Sequence, residues 1–434
     1  MWLTPFESLE SPLEAALRLA AGGPGLAWLD GGLTHGREGR FSFVGSAPCA
    51  LLERAQDEPS ALAILDELTL PAREANGAVL APGEVPLWVG HVAYDAVGSQ
   101  RTRSARSALP SARFARYDAW YAFDHASGLA YLVGDDEHAC QRLRERLTAP
   151  PISAAALAFS SGQLDATPHE QHRAAVRRAL SLIREGELYE INLARRYRAS
   201  FTGSALGLFL RMREQSPVPL GYFVDGGTHA IAGRSMERFL RFDRLDRSLF
   251  TSPIKGTLAR AGDDAGESAR LLRDPKELAE HAMVVDLMRN DLSRVCEIGS
   301  VEVSELMTVL PFAGLSHLVS TVRGSVRPEV TLRTLIEQTF PPGSVTGAPK
   351  ERVMQAIEEL ESVPRGAYTG CTGFVDRAGG CSFAVAIRTA FIADGWVDYF
   401  AGGGVVSDSD PQRESDETDL KAELFLRALQ GSPR

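Results

Sequence analysis

The chain has 434 residues, 44% hydrophobic and 24% charged, which suits a globular protein with a sizeable core in two or three domains or one composite fold. A formal charge of −10 argues against a nucleic-acid-binding surface, and no apolar run is long enough to span a membrane. The five cysteines (Cys49, Cys140, Cys296, Cys371 and Cys381) are scattered and lack metal-ligand spacing. With no secretory pattern at the N terminus, the expectation is a soluble cytoplasmic protein with reduced thiols.

In chain order, "GRFSFVGSAP" (39–48), "VPLWVGHVAYDAVG" (85–98) and "WYAFDHASGLAYLVG" (120–134) alternate β-branched or aromatic residues with turn formers and predict strands and hairpins. "DEHACQRLRERLTA" has the period of a short amphipathic helix. The small and proline-rich stretch 150–168 reads as a connection, and its apolar centre equally as an edge strand. This divides the chain into regions 1–150 and 168–430. "PHEQHRAAVRRALSLIREGE" predicts a helix ending near Gly186, and "LYEINLARRYRASF" a strand. Asp274 and Pro275 open a further helix, "FAVAIRTAF" (383–391) reads as a strand carrying Arg388, and "FAGGGVV" (400–406) as a strand end with a glycine turn. Asp410 and Pro411 cap and start a last helix. The whole is α+β, without the regular alternation of a doubly wound sheet.

Of 46 basic residues only four are lysine: Lys255, Lys276, Lys350 and Lys421. Arginine cannot act as a nucleophile, whereas a partly buried amine can lose its proton. A lysine retained in "TSPIKGTLAR" is therefore a candidate for chemistry, chance being the alternative. Glu277 and Glu280 lie three apart in one predicted helix, as do Glu414 and Glu417 in the last, with Lys421 four residues beyond Glu417. Each pair reads either as an exposed acidic face or as half of a carboxylate site suited to Mg²⁺. "PPGSVTGAPK" (341–350) and Gly402, Gly403 and Gly404 offer close backbone approach to an anion. Neither is a P-loop or a dinucleotide fingerprint. Arg388 in an apolar setting wants an anionic partner, and His317 and Tyr368 are polar groups in apolar or glycine-rich surroundings. Together these residues describe a site for a small polyanion.

The blocks "PIKGT", "KELAEHAMVVDLMRNDLSRVCEIGSVEV", "HLVS", "FPPGSVTGAPK", "RGAYTGCTGF", "AIRTA" and "AGGGVVSDSDPQRESDETDLKAE" stand in one order. In that order they resemble the chorismate-utilising enzymes, closely over 170–430 and more loosely before. "FSFVGSAP" and "GHVAYDA" look like amino-terminal blocks of the same family. The resemblance implies large antiparallel β-sheets packed with helices, in an anthranilate synthase component I-like fold. It implies Mg²⁺ held by Glu280 and Glu417, with Glu277 and Glu414 nearby through water. Arg388, Tyr368 and the N–H groups of Gly402, Gly403 and Gly404 would hold the enolpyruvyl carboxylate of chorismate, in a cavity also lined by His317, Ser344 and Lys421. Glu237 in "RSMERF" matches the family's acid/base at the C4 oxygen, although Met236 stands where the family usually has proline.

Two positions separate the reactions within the family. "PIKGT" is the form of the branch that aminates chorismate at C4, in which a neutral Lys255 would attack C2 and then be expelled by ammonia. The branch that aminates at C2 looks like "PIAGT" and is the alternative. At Glu190 in "LYEINL" the water-using members carry lysine and the ammonia-using members more often glutamine; a glutamate disfavours the water-using branch. No glutaminase signature is present, so ammonia would come from a separate glutamine amidotransferase subunit.

Overall fold

The computed structural model describes residues 1–9, 11–32, 39–56, 58, 60–70, 80–97, 108–259, 272–273, 275–312 and 315–431. Within these, two large antiparallel sheets carry the fold, one of thirteen strands and one of ten. The first runs from Trp2–Pro5 through Leu129–Gly134, Ala119–Asp124, Phe41–Gly45, Ala27–Asp30, Leu220–Asp225, His229–Ser235, Thr389–Ala393 and Trp396–Val405 to Glu190–Gly203 and Asp165–Ala166. The second runs from Ile254–Ala259 through Leu315–Ser325, Ser248–Ser252, Arg238–Phe242, Cys381–Val385 and Cys371–Asp376 to Pro86–Val92, Ala112–Arg116 and Ala50–Arg54. Each sheet thus draws strands from both the early and the late parts of the chain.

Alternation along the strands gives each sheet two apolar faces. The inner faces meet where Phe43 and Trp120 of the first sheet pack with Val89 and Ala115 of the second, and again at Tyr222, Phe391, Phe400 and Ala384. On the outside of the first sheet, Trp28, Tyr121 and Tyr399 pack against Phe209 and Phe425 from helices Ala205–Gln215 and Pro411–Gln430. Tyr399 stacks on Phe425 at 4.3 Å, which seats the last helix on its strand. Helix Pro275–Ser293 covers the second sheet through Val285, Met288 and Leu292. Each large side chain buried this way contributes roughly 1.5–3 kcal/mol of transfer free energy.

The predicted hairpin over 120–134 is present as Ala119–Asp124 and Leu129–Gly134, and the amphipathic helix as Glu137–Leu147. The last helix starts as expected: the Asp410 side chain accepts from the N–H groups of Gln412 and Arg413, with Pro411 in the first turn. Asp274, expected at the start of the acidic helix, lies outside the described residues. The 150–168 connection contains two short strands, Phe159–Ser161 and Asp165–Ala166, both pairing with Glu190–Gly203. Two expectations are corrected. Gly402, Gly403 and Gly404 form no turn; they lie inside strand Trp396–Val405. Arg388 is not in a strand, because the chain breaks between Cys381–Val385 and Thr389–Ala393 and Arg388 takes a left-handed φ of 53°. No helix among the described residues is long and apolar enough to cross a membrane.

Candidate active site

The floor of the site is the pairing of Glu190–Gly203 with Trp396–Val405, which sets Asn192 opposite Gly404, Leu193 opposite Gly403 and Ala194 opposite Gly402. Pairing with Thr389–Ala393 on the other side ends at Tyr399. Beyond it, the backbone groups of the glycine strand on that side lie past the end of the ladder, where the Gly402 carbonyl accepts from Lys421. A larger residue at either of two of these positions would press on charged side-chain ends. A Cβ on Gly404 would lie 2.4 Å from Glu190 Oε1 and 2.8 Å from Lys255 Nζ, and one on Gly403 would lie 3.0 Å from Glu414 Oε2 and 3.9 Å from Glu417 Oε1. Successive strand positions face opposite sides, so Gly404 looks toward the lysine and Gly403 toward the last helix.

Lys255 comes from the edge strand Ile254–Ala259, where the register with Leu315–Ser325 shifts between Lys255 and Thr257. Such irregularities re-aim a side chain. Its Nζ donates to Glu190 Oε1 at 3.1 Å, with the two side chains 16% and 4% exposed. Burial alone would push this amine down. The carboxylate of Glu190, and then those of Glu280 and Glu237, outweigh it and hold Lys255 above its ordinary value. The carboxylates around Lys255 thus favour its protonated form, and the neutral amine expected at the moment of attack requires a group to take that proton.

Glu237 sits at the turn between His229–Ser235 and Arg238–Phe242, fully enclosed, and burial pushes its carboxyl up to about 7. The neighbouring Ser344 hydroxyl and the cations Lys255 and Lys421 pull the other way without prevailing. Glu237 thus feels both lysines and links the two sides of the glycine strand. His281, beside Glu280 in sequence, turns away to Ser320 at 2.6 Å, and burial, then Lys255, lowers it to about 4.

On the last helix, Glu414 is buried and accepts from Ser409 Oγ at 2.8 Å. Lys421 Nζ bridges Glu417 at 2.6 Å and the Gly402 carbonyl at 2.9 Å. Arg388 donates to the Lys421 carbonyl at 2.6 Å, and the Tyr399 hydroxyl reaches the same oxygen at 3.4 Å. Tyr368 is buried and stacked on Phe400 at 5.0 Å, and His317 is buried in Leu315–Ser325. Glu280 is half-buried on helix Pro275–Ser293, while the Glu277 side chain lies outside the described residues. Among the described residues no three acidic, imidazole or thiol groups form a metal cluster. The carboxylates of Glu414 and Glu417 do converge on Gly403, and hard oxygen donors of this kind suit Mg²⁺.

Two features were not anticipated. Arg365, its side chain 0% exposed, makes a two-pronged pair with Glu361 at 3.0 and 2.7 Å and also donates to the carbonyls of Asn192 and Val345 and to Thr369. The i,i+4 spacing of Glu361 and Arg365 was the available signal. Lys350 is structural, paired with Asp291 at 2.8 Å and donating to the Thr339 carbonyl. Separately, a cavity of about 460 Å³ lies near Leu26, Phe201, Phe223, His229 and Ile392 and contains none of the site residues.

A family model described as chorismate binding enzyme matches residues 32–427. The chain is 34% identical over 446 residues to anthranilate synthase component 1 of Thermus thermophilus, covering 97% of this chain and 96% of that protein. It is 36% identical over 326 residues to aminodeoxychorismate synthase component 1 of Klebsiella aerogenes, covering 74% and 71%. Its structure is similar to that of anthranilate synthase component I from Streptococcus pneumoniae, with a TM-score of 0.77 at 28% identity over 91% of this chain and 94% of the other.

Proposed function

Because the chain belongs to the chorismate-binding enzyme family, we propose that it is an aminodeoxychorismate synthase, aminating chorismate at C4 to give 4-amino-4-deoxychorismate for p-aminobenzoate and folate synthesis. The observation that carries this reading is Lys255, buried against Gly404 and hydrogen-bonded to Glu190. A lysine amine, unlike an arginine guanidinium, can form a transient bond to the ring. Residues 168–430 are then the catalytic region and 1–150 the anthranilate synthase component I-like region, in a cytoplasmic enzyme supplied with ammonia by a separate glutamine amidotransferase subunit.

In this reading Arg388, Tyr368 and the backbone of Gly402, Gly403 and Gly404 receive the enolpyruvyl carboxylate, with His317, Ser344, Lys421 and Glu190 around the ring. Glu237, near half-protonated at neutral pH, gives a proton to the departing C4 oxygen. Glu280 and Glu417 would hold Mg²⁺, with Glu277 and Glu414 nearby through water. The ion, when bound, supplies Lewis-acid stabilisation of the ring carboxylate and the leaving oxygen.

The second reading is anthranilate synthase component I, favoured by the near full-length similarity to the Thermus thermophilus protein. Incubating the purified protein with chorismate, Mg²⁺ and ammonium separates the two. A product that keeps its enolpyruvyl group supports C4 amination; fluorescent anthranilate with release of pyruvate overturns it.

A further inference from the structure

The Lys255–Glu190 contact joins the proposed nucleophile directly to a buried carboxylate. Nζ and Oε1 are 3.1 Å apart between two largely buried side chains. A Cβ at position 404 would meet both groups, at 2.4 Å from Oε1 and 2.8 Å from Nζ. The other ionisable groups acting at Lys255 are Glu280 and His281 from helix Pro275–Ser293, and Glu237 across from it, which in turn feels Lys421. Glu237 is committed to the leaving oxygen, and Glu280 to the metal. Glu190, at the edge of the ring site, is the carboxylate that directly accepts from Lys255.

We propose that Glu190 is the proton acceptor for Lys255, so that the two side chains act as one couple that releases and restores the nucleophilic amine. The inference rests on the reading of Lys255 as nucleophile at C2. An ammonium has no electron pair to donate. Transfer of one proton to Glu190 frees the pair, which forms the bond from Nζ to C2. The two conjugated ring double bonds shift, the C4–O bond breaks, and the hydroxyl takes the proton of Glu237 and leaves as water. The adduct nitrogen is then a secondary ammonium. Ammonia bonds to C4, the double bonds shift back, and the C2–N bond breaks with its electron pair returning to Nζ. Glu190 hands its proton back to the neutral lysine, the new C4 substituent remains an ammonium, and Glu237 recovers its proton from solvent. One ammonia and one proton enter, one water leaves, and nothing is oxidised or reduced.

The test is single-turnover formation of the Lys255 adduct, with chorismate and Mg²⁺ but no ammonia, quenched and read by intact mass and peptide mapping across pH. Wild type should form the adduct at a rate that falls as pH rises through 7, with the loss of the Glu237 proton and with no added dependence on Lys255. Glu190→Gln should be slower by ~10²-fold at neutral pH, and its rate relative to wild type should rise about tenfold per pH unit, because its proton must go to solvent. Glu190→Ala, which does not depend on the amide packing well, should recover rate on adding formate. Adduct formation by Glu190→Gln at the wild-type rate and pH profile, or by Glu190→Ala without formate, overturns the inference and leaves Lys255 as nucleophile. Turnover by wild type with no adduct at Lys255 overturns the nucleophile reading itself.

Discussion

Lys421 Nζ lies 2.6 Å from Glu417 and 2.9 Å from the carbonyl oxygen of Gly402, tying the last helix to the glycine strand at the floor of the site. One side chain thereby spaces a carboxylate of the expected metal site from the backbone expected to hold substrate. With Glu417 46% exposed, the pair adds well under ~1 kcal/mol to stability. Its consequence is positional.

Lys255→Ala and Lys255→Arg should both lose C4 amination by ~10³-fold or more, the scale seen when a nucleophile is removed. Arginine keeps the charge opposite Glu190 but cannot form the adduct. Product quantification by mass after incubation with chorismate, Mg²⁺ and ammonium checks this; near-normal turnover in either variant removes Lys255 from the chemistry.

Glu237 makes activity depend on pH. Its folded value of about 7 lies above the ordinary 4.5, so the protonated acid is lost as pH rises through 7 and the rate should fall on that limb. The same shift means that the folded state binds the extra proton, so stability declines from about pH 4.5 to 7, by ~3 kcal/mol in all. Glu237→Gln should flatten the alkaline limb and lower turnover, yet raise Tm at pH 8. A lower Tm there would contradict the burial argument.

Glu280→Gln and Glu417→Gln should each raise the Mg²⁺ concentration needed for half-maximal activity by ~10-fold or more, the scale of lost metal-site support. Activity titrated with Mg²⁺ measures it. An unchanged midpoint in both variants would reject these two residues as ligands.

Arg365→Met should cost ~3–5 kcal/mol by leaving Glu361 buried without its partner, and should weaken activity because Asn192 and Val345 lose a shared donor. The double variant Arg365→Met/Glu361→Leu should recover part of the stability in denaturant unfolding. If the single variant is as stable as wild type, the pair does not brace the floor.

Local patterns carried much of the architecture. Alternation in "WYAFDHASGLAYLVG" specified a hairpin because strand periodicity is local, and Asp410–Pro411 specified a helix start because capping needs only the next three residues. The glycine run misled for a related reason. Glycine marks either a turn or a crowded strand, and the crowding at Gly404 comes from Glu190 and Lys255, both far away in sequence. The conformation of Arg388 was likewise hidden, since its backbone carbonyl accepts from the Arg234 N–H and its guanidinium reaches the Lys421 carbonyl of the last helix, both remote in sequence.

The amino-acid sequence by itself determined which chemical groups are available: one lysine in "PIKGT", paired glutamates at helical spacing, three adjacent glycines and a glutamate at position 190. Only the tertiary structure decided the charge they carry. Lys255 meets Glu190 across 65 positions of chain, and burial acts on Glu237 through neighbours from other strands and helices. Charge state follows the distance to other charges and to water, and those distances exist only after the two sheets have closed on each other.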